Sequence, residues 1–405
     1  MSHRDIPKLE DTNIEMGSLA PRIARPALAV GVLALIGAVL LGLREGDHLR
    51  HFSFSWLVSF ALFLSISLGA LIFLPIQFLT KASWSVVIRR LAETMAMALP
   101  FMAILSLPVL LNLGQIYDWA AEHPHHLTPD LAMHKAPFLN EGFFVARWVA
   151  YFVIWTVLGM FFWRTSRQQD QSKDVSLTLR MENRSGPSIL AFALTCSFAG
   201  MDLLMTLDPV WFSTMFGVYY FAGGFVGFYA VLTLTTLGLQ RTGRLTHIVN
   251  AEHFHDYGKL MFAFTFFWAY IAFSQYMLYW YGNIPEETAW FLVRQSNGWG
   301  NIALVLCIGA FALPFAGLIS RYAKRRRGLM AFWAIWILVM QFFNLYWVAM
   351  PVFSPEGQSF HVLDLLCLLA VGGLWLGIVA TLAGRAHLVP VGDPRLDESL
   401  RFENA

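Results

Sequence analysis

Charge is what this sequence has least of. Asp, Glu, Lys and Arg make up 13% of its 405 residues, against about 25% in ordinary soluble domains. A soluble fold has no means of hiding the 57% that are apolar. The three cysteines, Cys196, Cys307 and Cys367, each lie in an apolar run, without a C-x-x-C pair or a C-x-x-C-H haem-attachment signal. They read as small packing residues, and covalent haem is excluded. No Gly-rich phosphate loop, Ser-His-Asp set or zinc motif is present, so nothing points to a hydrolase. The net charge is +2 and the positive residues are scattered, which leaves no footprint for nucleic acid.

Long apolar runs are abundant. A bilayer core about 30 Å thick takes about 20 apolar residues per helix, and ten segments qualify: 26–43, 54–79, 91–113, 141–163, 187–207, 212–239, 260–282, 298–319, 329–353 and 361–382. The 15 Trp and 35 Phe fit, since aromatics crowd membrane interfaces and helix contacts. The first run follows a polar stretch and lacks a convincing small-residue cleavage site, so it reads as a retained span. The expected fold is an all-α integral membrane protein of about ten transmembrane helices. Spans 2–5 and 6–9 each make a four-helix bundle, flanked by spans 1 and 10. Residues 1–25 and 385–405 are then terminal segments outside a 26–384 transmembrane domain. Among Lys and Arg outside the spans, only Arg44, Arg50, Lys135 and Arg294 fall on the side away from the termini. Cytoplasmic loops are enriched in positive charge, so both termini are expected in the cytoplasm of a bacterial inner membrane.

The longest outer connection, 114–140, carries Asp118, Glu122, His123, His125, His126, Asp130 and His134. Pro124 and Pro129 interrupt it and no helical His pair appears, so a solvated, partner-facing loop is expected rather than a metal site. The connection 164–186 reads as a solvated loop.

Ionisable groups within a bilayer cost about 2.5–3.5 kcal/mol each on insertion scales, and so mark sites of interest. Arg147 and Asp202 each lie six residues inside the outer end of a span, at a depth of about 9 Å by the helical rise. They are expected to pair, as a static clamp or as a proton relay. Glu93 near the inner end of span three is expected to snorkel to the cytoplasm unless it handles protons. His361 and Asp364 share a face in the first turn of span ten, where capping and proton handling both fit. Span seven enters with His253, His255, Asp256 and Lys259, then places Tyr270, Ser274 and Gln275 near its middle, with Gln341 and Asn344 at similar depth in span nine. Interhelical hydrogen bonding and a water-assisted proton path are the two readings of that set. With the spans drawn as above, 2–9 contain no histidine. That excludes a bis-His haem b and the His-carboxylate pair usual for quinol deprotonation. No metal is expected at membrane depth.

Two blocks carry a resemblance. HDYGKLMFAFTFFWAYIAFSQYMLYWYGNIPEETAWF (255–291) and MDLLMTLDPVWFSTMFGVYYFAGG (201–224) resemble the F subunit of bacterial alternative complex III, a respiratory quinol:cytochrome c oxidoreductase. That family belongs with the polysulfide-reductase-like membrane subunits, which pair two four-helix bundles with flanking helices. The resemblance implies a subunit that supports assembly and offers half-channels for proton translocation. A sibling membrane subunit would oxidise quinol beside an iron-sulfur protein, and cytochromes c would carry electrons onward. Haem c and iron-sulfur clusters then belong to partner subunits, quinone to the complex, and none of these is bound covalently by this chain. A stand-alone proton-coupled or ion transporter is the alternative, and a purely structural anchor is a third reading.

Overall fold

In the computed structural model, which describes residues 9–122, 129–358 and 360–404, the apolar runs all form helices. No strand occurs among the described residues. Ten helices are long and apolar enough to cross a membrane. We label them α1 (Leu19–Glu45), α2 (Arg50–Leu79), α3 (Val86–Leu111), α4 (Glu141–Ser172), α5 (Val175–Leu204), α6 (Phe216–Arg241), α7 (Ala251–Gly282), α8 (Trp299–Leu318), α9 (Arg327–Phe353) and α10 (Val362–Ala383).

Contacts close two rings. α2, α3, α4 and α5 form one four-helix bundle and α6, α7, α8 and α9 the other, and α2 packs on α6 where they meet. α1 lies along α10, and that pair docks on α2. The centre is α2, which is apolar on every side and correspondingly buried on every side. Its polar residues are mostly serines that return their hydroxyls to the backbone, as Ser59 does to Ser55 O at 2.9 Å, and small residues let neighbouring helices come close. The α1–α10 contact uses glycine in the same way. A Cβ on Gly31 would stand 2.6 Å from Leu374 N, and one on Gly373 2.8 Å from Ala27 O.

Several helices overrun the apolar runs that announce them. α4 continues to Ser172 and α5 starts at Val175, so the loop expected over 164–186 reduces to a left-handed Lys173 (φ +52°) and the Asp174 cap. α3 starts at Val86, which places Arg89 and Arg90 inside the helix. It is interrupted near Met97 and again at Ser106, each time ahead of a proline. α8 carries a π-helical turn over Leu306–Ala312, and Trp336 donates its indole N–H to Gly309 O within it, at 2.7 Å. Leader and tail both fold back on the helix ends of one face. Leu388 N–H bonds Ile14 O at 2.6 Å and Leu245 N–H bonds Asn13 O at 2.9 Å, while Ser399 reaches Trp84 O at 2.9 Å. We call this the terminal face and the other the opposite face.

Candidate functional site

On the opposite face, helical rise brings Arg147 of α4 level with Asp202 of α5, and the two side chains meet. The guanidinium grips the carboxylate with two bonds, Nε to Oδ2 and Nη2 to Oδ1, both 2.9 Å. Tyr151, one turn below Arg147, donates its hydroxyl to Asp202 Oδ2 at 2.8 Å. Arg147 also donates to Phe138 O at 2.9 Å and lies over the rings of Phe138 and Phe143, at 3.9 and 4.4 Å. Asp202 is 1% exposed and Arg147 10%, so nearly all of the pair's exposed surface belongs to the arginine. A bidentate pair of this kind gives a buried carboxylate a countercharge and a fixed orientation at once.

The terminal face holds a larger cluster. Glu93 does not snorkel: it is wholly buried, 2.9 Å from Arg90 Nε and 3.6 Å from Arg89 Nε. It is closed off from the terminal face by two arginines from its own helix and by Asp170 of α4 and Asp393 of the tail, which those arginines hold. Arg90 goes on to Asp170 of α4 at 2.6 Å and Ser166 at 3.1 Å. Arg89 reaches Asp393 of the tail at 2.5 Å. Burial pushes the Asp393 carboxyl up, but the Arg89 guanidinium and the bonds from Arg89 and the Arg395 amide outweigh it and hold Asp393 below its ordinary value. Arg395 in turn pairs with Glu182 of α5. The tail is thus a packed element, locked by charge to α3 and α5.

At the start of α10, His361 and Asp364 form a capping box. Asp364 Oδ2 accepts from His361 N–H at 2.9 Å and His361 Nδ1 accepts from Leu363 N–H at 3.3 Å. Asp364 also receives the Ser55 hydroxyl at 2.6 Å, which ties α10 to α2.

The polar residues of α7 fall in separate settings. His253 caps its own helix, with Nδ1 accepting from Asn250 N–H at 3.2 Å. His255 is buried. Asp256 pairs with Lys259, whose ammonium also donates to Asn404 of the tail at 2.8 Å. Further along, Tyr270 is 58% exposed on the outward side of α7 and Ser274 returns its hydroxyl to Ile271 O at 3.1 Å. Gln275 alone points inward, accepting from Ser213 at 2.8 Å. Asn344 takes the Tyr219 hydroxyl and donates to Gln341 at 3.4 Å. Gln275 and Asn344 line the back of a lateral cleft of about 630 Å³ whose walls are mainly aromatic, among them Trp211, Phe273, Phe291 and Trp347.

The statement that spans 2–9 lack histidine is corrected. α2 begins at Arg50 and α7 at Ala251, so His51, His253 and His255 belong to spanning helices, in their first turns. The apolar run starts about one turn after the helix in α2 and about two and a half turns after it in α7. In the connection 114–140, Lys135 donates to Pro209 O, and His134 bonds Asp130 O at 2.8 Å. His123, His125 and His126 lie outside the described residues. Sequence reasoning also missed Tyr151, Arg89, Arg90, Asp170 and Asp393. Three of these carried a local signal: Tyr151 stands four residues after Arg147, and Arg89 and Arg90 stand four and three residues before Glu93.

Fold and site together define a multi-pass helical membrane protein with buried ion pairs near both ends of its bundles. Compared with known proteins, the chain matches no protein-family model and no curated protein.

Proposed function

We propose that this chain is the membrane subunit of a respiratory quinol:cytochrome c oxidoreductase of the alternative complex III kind. It supports assembly of the complex and contributes to proton translocation, while a sibling subunit oxidises quinol. The observation that carries the translocation part is the Asp202 carboxylate, buried beside a tyrosine hydroxyl and paired with Arg147. A buried carboxylate that takes up a proton and gives it back, beside a hydroxyl that can relay it by accepting one proton as it releases its own, is what a half-channel terminus needs. The identity of the complex rests on the two sequence blocks and on the two-bundle layout with flanking helices. Haem c, iron-sulfur clusters and quinol chemistry are assigned to partner subunits.

The experiment is Asp202→Asn in the assembled complex, with haem content, quinol oxidation and proton release per quinol all measured. Retained haem and oxidation with lowered proton release is the expected result. Loss of haem would assign the pair to assembly alone, and normal values for all three would overturn the reading.

A transporter would place helix interruptions at matching positions in two repeats. Here they fall in α3, second of its bundle, and in α8, third of the other. By charge, the terminal face lies in the cytoplasm. A cysteine at exposed residue 326 should therefore react with an impermeant reagent only in opened cells, and reaction in intact cells would reverse the orientation.

A further inference from the structure

Three helix ends converge on the opposite face. α1 ends at Glu45, α2 begins at Arg50, and α10 begins just after its His361 cap. The Glu45 carboxylate stands between two imidazoles, with Oε2 3.0 Å from His51 Nδ1 and Oε1 3.3 Å from His361 Nδ1. One donor atom from each of the three residues lies within 4.8 Å of the other two.

These groups are held in place from behind. His51 is 7% exposed and stacked on Phe353 at 4.8 Å, and its backbone N–H is fixed by Asp47 at 2.8 Å. The His361 backbone is fixed by Asp364, itself anchored by Ser55. Two imidazole nitrogens and a carboxylate oxygen form a donor set for zinc and other borderline divalent ions. Ligands 2.0–2.2 Å from a tetrahedral ion stand about 3.4 Å apart. The separations from Glu45 run to its two different oxygens, so one oxygen faces both nitrogens only if the exposed carboxylate turns and the His361 ring, half-exposed at 39%, leaves its bond from Leu363 N–H. Its exposure also leaves an entry path and room for water as a further ligand.

The surrounding charge favours a cation. Arg50 stacks on Phe54 and Phe353 nearby, at 6.0 and 5.8 Å, while Glu45, Asp47 and Asp364 supply three carboxylates. His51 Nε2 has no hydrogen-bond partner among the described residues. A ligand imidazole usually gives its second N–H to an acceptor. Lacking one, this site should bind more weakly than a structural zinc site with a complete second shell.

We propose that Glu45, His51 and His361 form a site for one divalent ion of the zinc class, which would staple the ends of α1, α2 and α10.

The test uses the full-length protein in detergent, stripped with chelator and titrated with zinc, with bound metal counted by elemental analysis. His361→Ala and Glu45→Gln should each remove one equivalent or weaken it about 100-fold, since even second-shell losses cost 10–100-fold. His387→Ala, which alters a histidine paired with Glu15 on the other face, should change nothing. Cobalt on the unaltered protein should show visible d–d bands that zinc abolishes. Unchanged zinc stoichiometry and affinity in both ligand variants would overturn the proposal. If either variant is misfolded, absence of the cobalt bands from the unaltered protein would overturn it by itself.

Discussion

The two faces of the molecule treat buried charge differently. On the terminal face, Arg89, Arg90 and Glu93 of one helix are matched by Asp170 from α4 and Asp393 from the tail, so three separate stretches of chain must be in register. On the opposite face, Arg147 and Asp202 need only two adjacent helices, and the arginine keeps a solvated edge. A buried ion pair gains little over an apolar substitute, yet losing one partner is expensive. The larger cluster therefore acts as a lock on tertiary structure. The smaller pair, with a hydroxyl at hand, is the one we propose to exchange a proton.

The contrast breaks most visibly at Glu93. Glu93→Gln should leave two buried guanidinium groups under-compensated and cost about 3–5 kcal/mol, read by denaturant unfolding in detergent. An effect below about 1 kcal/mol would remove the lock from the argument. Asp202→Asn should cost less, about 1.5–3 kcal/mol for charged hydrogen bonds lost beside an arginine with another outlet. If it proves the more damaging of the two, the assignment of roles to the faces is reversed. Tyr151→Phe should cost about 1 kcal/mol and lower proton release per quinol, without loss of haem from the complex. Unchanged proton release would exclude the tyrosine as the neighbour that relays the proton.

The smallest effect is one of pH. Asp393 has its folded value depressed, so its contribution is full above the ordinary aspartate value and is lost as pH falls through the lower, folded value. Thermal unfolding below about pH 4 should therefore show a steeper loss of stability in the parent than in Asp393→Asn. Identical acid profiles would show that Arg89 does not depend on this carboxylate.

The ten helices were legible because a span of apolar residues admits few other structures, and the Arg147–Asp202 meeting because depth follows from counting residues from a helix end. The terminal-face cluster was not. Arg89 and Arg90 precede the apolar run of span three, and Asp393 sits in a tail whose polar composition suggests solvent; nothing local relates the arginines to it. His51 was hidden by the same convention, since a boundary drawn at the apolar run excludes the polar first turn of a helix. Tyr270 failed for another reason. Spacing puts it on one face with Ser274, but says nothing about whether that face looks inward, and in the structure Tyr270 looks out.

Asp393 lies 304 residues after Arg89. At ribosomal rates of about 5–20 residues per second, the guanidinium is made roughly 15–60 s before its carboxylate. Throughout that interval the carboxylate within reach of Arg89 on its own helix is Glu93, which it shares with Arg90. The packing of the first bundle at the terminal face is thus completed by a side chain made hundreds of residues after the guanidinium it meets.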